Sequence, residues 1–155
     1  MKRNTLIMVP KDKILEIFDS YDREEITIAT LCSHSSLQIF HGARQEGFNT
    51  LGIAVDHNTK FYDAFPLAKP DEILRVDDYD SLVDNVSEIT DRNAIIIPHG
   101  SFVEYLGPER FEKMEAPTYG NRSVLNWESD GAKEREWLES AGIEMPREVD
   151  NAKEI

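Results

Sequence analysis

The chain has 155 residues, 40% of them hydrophobic, and its 30 acidic against 17 basic side chains give a formal net charge of −13. That length suits one domain with a sizeable core, and the negative balance repels phosphate backbones and anionic lipid, which argues against nucleic-acid or membrane-surface binding. The single cysteine, Cys32, excludes an internal disulfide, the N-terminal "LIMV" is too short for a signal sequence, and no stretch reaches the roughly 20 apolar residues of a membrane span, so the chain reads as cytoplasmic.

In chain order, "PKDKILEIFDSYD" (10–22) places Ile14, Leu15, Ile17 and Phe18 on one helical face, with Pro10 in the first turn. "EEITIATL" (24–31) is a β-branched run and predicts a strand. "HSSLQIFHGARQEGF" (34–48) spaces Leu37, Phe40 and Ala43 helically and stops at Gly47, a left-handed C′ residue. "NTLGIAVD" (49–56) predicts a second strand, and residues 56–72 a loop with at most a short strand. "EILRVD" (72–77) is strand-like, "DYDSLVDNVSEI" (78–89) an amphipathic helix, and "NAIIIP" (93–98) the continuous apolar run of a buried parallel strand. The last third predicts helical pieces broken at Gly107–Pro108, a short strand, a glycine turn and a helix over 116–130, and a helix within 132–146 that ends at Gly142, with Trp137 and Leu138 inward. Trp127 and Trp137 are both expected in the core. An acidic surface of this kind also suits a high-salt cytoplasm.

Strand, helix, strand, repeated, is the pattern of βαβ units: an α/β fold with an open, mostly parallel sheet flanked by helices. Such sheets bind ligands at the carboxyl ends of their strands, near the point where strand order reverses. Two stretches fall there, "LCSHSS" after the first strand and "PHGSF" after the fourth, and both carry small residues and hydroxyls toward a helix. Ser33 or Ser35 can cap the helix that follows. The same free N–H groups and positive helix end, with flanking hydroxyls, also make a cradle for a phosphate monoester. Gly100 permits a positive φ and a close approach of backbone to ligand, and Ser101 supplies a hydroxyl.

Other chemistries find less support. The chain lacks G-x-G-x-x-G and G-x-x-x-x-G-K-[ST], so dinucleotide and P-loop binding are not indicated. His34, His41, His57 and His99 show no metal-ligand spacing, and Cys32 has no partner cysteine. A hydrolase triad lacks its G-x-S-x-G elbow. "DDYD" (77–80) fits a solvated helix N-terminus, and Cys32 fits a small buried residue better than an activated thiol.

Taken together, "EITIATLCSHSSLQIFHGARQEGFNT", "IIIPHGSFVEYLG", "PTYGNRSVLNWESD" and "LESAGIEMPR" resemble, in order and spacing, the archaeal formate-dependent 5-formaminoimidazole-4-carboxamide ribonucleotide (FAICAR) synthetases, ATP-grasp ligases of purine biosynthesis. The resemblance runs from about residue 11 to 147 and corresponds to the N-terminal portion of that family. It implies a Rossmann-like preATP-grasp domain over residues 1–130 and the start of the ATP-grasp region over 131–155. The implied reaction activates formate with ATP as formyl phosphate, which the amine of aminoimidazole carboxamide ribonucleotide (AICAR) then attacks. His34 and Ser101 match the family's AICAR-contacting positions, and Ser33 and Ser35 are placed to hold the 5′-phosphate. "YGNR" (119–122) and Trp127 match a segment leading toward the ATP-grasp fold. One departure is Cys32, where the family carries glycine; it is harmless if φ there is negative. The ATP-holding lysine and Gly-rich loop and the Mg²⁺ carboxylates lie outside this chain, so ATP and Mg²⁺ are expected only in the complete enzyme and this chain alone should not catalyse. The expected partners are AICAR, formate and the ATP-grasp domain or subunit, with homo-oligomeric assembly in keeping with the family. The competing reading is a stand-alone nucleotide-monophosphate-binding regulatory module.

Overall fold

The computed structural model describes residues 9–55 and 59–149. Four short strands form one all-parallel sheet: β1 (Thr27–Leu31), β2 (Asn49–Ala54), β3 (Glu72–Arg75) and β4 (Ala94–Ile96), in the order β3-β2-β1-β4. The chain steps outward from β1 to β2 to β3, then returns to the other side of β1 to lay down β4. The order therefore reverses between β1 and β4, and the loops leaving those two strands flank the reversal.

Register follows from alternation. Ala29 pairs with Leu51 and Ile96, and Leu31 with Ile53, which in turn pairs with Leu74. These residues share one face of the sheet, together with Ala94. That face is covered by Leu82 of α3 (Tyr79–Asp84), Ile89 of α4 (Ser87–Thr90), and Phe102, Leu106, Phe111 and Met114 further on. Each fully buried side chain of this size stabilises the fold by about 1.5–3 kcal/mol relative to exposure. The opposite face carries Thr30, Thr50, Gly52 and Ala54, and takes Phe40 of α2 (Ser36–Gln45). Its two threonines are satisfied in place. Thr30 donates to the Ile97 carbonyl at 2.7 Å, and Thr50 donates from hydroxyl and backbone to Asp71 at 2.7 and 3.0 Å.

The helices differ in places from their sequence patterns. Gly47 has φ 83°, the left-handed stop expected after α2. Asp78 caps α3 by accepting from Ser81 N at 2.6 Å, the solvated turn expected there. The 78–89 helix is two helices, because Asn85 leaves helical geometry (ψ 41°) and folds its amide back onto the Ser81 carbonyl. Within 59–72 the chain makes a 3₁₀ turn, Lys60–Ala64, and no strand; His57 lies outside the described residues. In α1 (Lys11–Asp19) no residue is buried and Leu15 is exposed, so its apolar face is narrower than the spacing suggests. After β4 come a five-residue π-helix, Phe102–Leu106, and α5 (Pro108–Phe111), broken at Gly107 as expected.

α6 (Val124–Glu128) and α7 (Gly131–Ser140) have no buried residue between them. Trp127 and Trp137 are 41% and 44% exposed, with ring centroids 6.5 Å apart, which corrects their expected place in the core. The two helices pack on each other, and Leu138 is only half-buried. No helix among the described residues is long and apolar enough to cross a membrane.

Candidate ligand site at the sheet reversal

Beyond Leu31 the backbone stays beside β2 for one more residue, with Cys32 N donating to the Ile53 carbonyl at 2.7 Å. The chain then turns through Ser33, His34 and Ser35 into α2. Ser35 occupies the N-cap position but makes no side-chain cap, which corrects the capping expectation. Ser33 Oγ instead accepts from Ser35 N at 3.4 Å. The turn is organised by Ser36, fully buried, whose hydroxyl donates to the Ser33 carbonyl at 2.6 Å and accepts from Ser33 N at 3.2 Å. With that proton committed, Ser36 Oγ accepts the phenol of Tyr62, 2.6 Å away and also fully buried. Burial raises the Tyr62 pKa, so it remains a neutral donor. One hydroxyl from the β2–β3 connection thereby holds the shape of the 33–36 turn and leaves His34 exposed to solvent.

On the other side of the reversal, His99 bridges the two loops. Its Nδ1 accepts from Ser101 N at 3.2 Å, and its Nε2 lies 3.1 Å from the Leu31 carbonyl. A carbonyl can only accept, so the Nε2–H tautomer is the one that satisfies both contacts. Burial lowers the His99 pKa, against a smaller upward pull from the Leu31 carbonyl, and His34 adds a lesser downward push. Ser101 itself is only 5% exposed and heads a helix too short to act as a dipole; its side chain makes no cap. Gly100 does not take a positive φ, contrary to expectation, although a side chain there would meet nothing within 4 Å.

Of the four predicted contacts, Ser33, His34 and Ser35 sit in one turn and Ser101 in the other, where its backbone N–H is tied through His99 to the carbonyl of Leu31 at the end of β1. Ser36, Tyr62 and His99 were missed as site residues. The only sequence signals for them were a third serine and a second histidine in the same two motifs.

Beside this junction opens a cavity of about 390 Å³, walled by Cys32, Thr59, Phe61, Tyr62, Tyr79 and Tyr105 among others. Cys32 does not adopt a positive φ. Burial raises the pKa of its thiol, which favours the neutral form and is in keeping with a packing role. The thiol fits because Gly52 lies beneath it: a Cβ at Gly52 would stand 2.7 Å from Cys32 Sγ, 3.1 Å from Pro70 Cγ and 3.3 Å from Phe40 Cζ. Gly52→Ala is therefore expected to cost about 1–3 kcal/mol through overpacking, read as a lowered urea midpoint. Adding Cys32→Gly should restore part of the loss; an unchanged midpoint in the single variant would show that the thiol moves aside freely. A second cavity, about 470 Å³, lies between α1 and the 118–123 segment, and none of the four predicted contacts lines it.

A parallel α/β sheet with hydroxyl- and imidazole-bearing loops at its reversal point, beside a walled cavity, is the arrangement in which open α/β sheets hold small ligands. The chain belongs to the family described as "Protein of unknown function (DUF1246)", which matches residues 28–149 and so includes both loops. It is 60% identical over 148 residues to a protein of Methanosarcina acetivorans named 5-formaminoimidazole-4-carboxamide-1-(beta)-D-ribofuranosyl 5'-monophosphate synthetase, covering 96% of this chain and 42% of that protein. Proteins of the same name from Korarchaeum cryptofilum and Archaeoglobus fulgidus are 46% and 42% identical, covering 90% and 94% of this chain and 39% and 40% of their own lengths. The chain thus spans about two fifths of the curated relatives it matches.

Proposed function

We propose that this chain is the AICAR-binding part of an ATP- and formate-dependent ligase that forms FAICAR, corresponding to the N-terminal portion of the synthetases it resembles. The observation that carries this reading is the tie that His99 makes at the sheet reversal between Ser101 N and the carbonyl of Leu31, the last residue of β1 before the "SHSS" turn. Here Ser33 and Ser35 hold the 5′-phosphate at the start of α2, and His34 and Ser101 contact the nucleotide. An exposed His34 is able to meet an incoming ligand without rearranging the core. Among the described residues no group of three or more His, Cys, Asp or Glu converges. In this reading ATP and Mg²⁺ belong with the remainder of the enzyme, where formate would be activated.

Residues 131 onward open the ATP-grasp region in this reading. What supports the boundary is that Asp130 caps α7 by accepting from Ala132 N and Lys133 N at 3.0 and 3.3 Å. It is supported also by the exposure of Trp127 and Trp137, which leaves an apolar face for the further length that the relatives possess.

Calorimetric titration of AICAR tests the assignment. Ser101→Ala should weaken binding about fivefold, the worth of one net hydrogen bond of about 1 kcal/mol. Unchanged affinity would remove Ser101 from the site, and absence of binding to the wild-type chain would sink the ribonucleotide reading.

A further inference from the structure

We infer that the cavity walled by Phe61, Tyr62, Tyr79 and Tyr105 receives the flat heterocyclic base of the ligand, so that the ribonucleotide lies across Cys32 with its phosphate on the 33–36 turn; this rests on the ribonucleotide reading and specifies it. Position comes first. Cys32 is at once a wall of this cavity and the residue directly before Ser33, so the cavity and the phosphate-binding turn share a border. A ligand anchored at Ser33–Ser35 can reach into the cavity across Cys32.

The chemistry of the walls selects the occupant. None of the described lining residues carries a charge at neutral pH, since the Cys32 and Tyr62 groups are both pushed up by burial. Among the described residues the nearest cation, Arg75, stands behind Thr59 and is bonded to its hydroxyl, so the walls themselves offer aromatic faces that suit an uncharged ring better than a phosphate. Phe61 and Tyr105 leave 43% and 48% of their surface in water, an unfavourable placement for such large rings that a flat partner would relieve. Tyr79 and Tyr105 are already stacked, their planes 4° apart and centroids 5.3 Å apart, and an aromatic heterocycle would continue that stack. Thr59 supplies the polar end. Its hydroxyl oxygen accepts from the Arg75 guanidinium at 2.9 Å, which orients the hydroxyl hydrogen toward an acceptor such as a carboxamide oxygen or ring nitrogen.

The test compares two ligands on the 155-residue chain: AICAR, and ribose 5-phosphate, which lacks the base. Tyr105→Ala should weaken AICAR binding about tenfold or more, as loss of one base-stacking ring does, and leave ribose 5-phosphate binding unchanged. Tyr105→Phe should bind AICAR like the wild type. Phe61→Ala, on a different segment, should repeat the selective loss. Equal losses for both ligands, or wild-type AICAR affinity in both alanine variants, would overturn the assignment of the base to this cavity while leaving the ribonucleotide reading in place. A wild-type chain that binds neither ligand would overturn that reading and this one with it.

Discussion

Arg122→Met is expected to destabilise the domain by about 2–4 kcal/mol, with most of the loss coming from stranded carbonyls and not from lost charge. The Arg122 guanidinium donates through its two terminal nitrogens to the carbonyls of Met114 and Ala116, and lies 5.8 Å above the ring of Phe111. All three of those residues are fully buried. Burial lowers the Arg122 pKa, which marks the desolvation that these contacts offset. Methionine keeps much of the stem's packing but offers no donor, so two acceptors in the interior lose their partners at about 1–3 kcal/mol each. The damage should spread to the sheet, because the same segment extends it: Ile96 N donates to Pro117 O and Tyr119 N to Ile96 O, both at 2.9 Å. Urea unfolding with an unchanged slope measures the cost, and faster amide exchange at Ile96 and Tyr119 locates it. Arg122→Lys should recover only part, since an ammonium cannot fork between two carbonyls. A loss below about 0.5 kcal/mol in the methionine variant, the size of an ordinary surface substitution, would show that water replaces the guanidinium.

Arg122 also illustrates what the sequence could and could not disclose. Its segment was legible as a turn leading away from the sheet, yet nothing in "YGNR" says that the arginine points back inward. The strands were legible because β-branched runs bounded by turn residues have few other uses, and their parallel arrangement followed from the alternation with helices. Once the sheet was parallel, its carboxyl edge brought residues 33–35 and 101 together without any local signal linking them. Tyr62 was invisible for the opposite reason: it sits in an irregular connection, and its bond to Ser36 spans 26 residues. Ser36 and Ser35 look alike in a row of serines, and only packing decides which hydroxyl is buried. The two tryptophans failed differently. An apolar stripe on a helix predicts burial against something, but periodicity does not say whether the partner is the domain's own core or another surface. His99 was seen as part of a motif, whereas its work is internal, tying one loop to the other.

That internal tie sets the second large effect, a loss of stability and of ligand affinity on acidification between about pH 7 and pH 5, starting near the ordinary histidine pKa of about 6.5. Burial holds the His99 pKa below its ordinary value, outweighing the upward pull of the Leu31 carbonyl. The unfolded chain therefore takes up the proton first as pH falls, and the linkage relation makes unfolding easier with each step down through this window. Above the unfolded pKa the contribution is fully present, and it is lost on the way down to the folded one. The ordinary carboxylate range, near pH 4, lies beneath the window, so the acidic surface contributes little to the slope there. Geometry says what is lost: protonating Nδ1 replaces the acceptor for Ser101 N with a second donor, and the contact at 3.2 Å becomes repulsive. Freed from Leu31 and Ser101, the 97–101 loop loses its tie to the end of β1, which in the proposed reading weakens the hold on the ribonucleotide. His99→Ala should reproduce the loss at neutral pH, weakening AICAR binding about tenfold, a free energy of about 1.4 kcal/mol. His99→Gln, able to donate and accept, should recover part of that affinity and flatten the pH slope of the urea midpoint. An imidazole NMR titration placing His99 above pH 6.5, or an unchanged slope in the glutamine variant, would mean that the ring is charged in the folded state and that Ser101 N is held by something else.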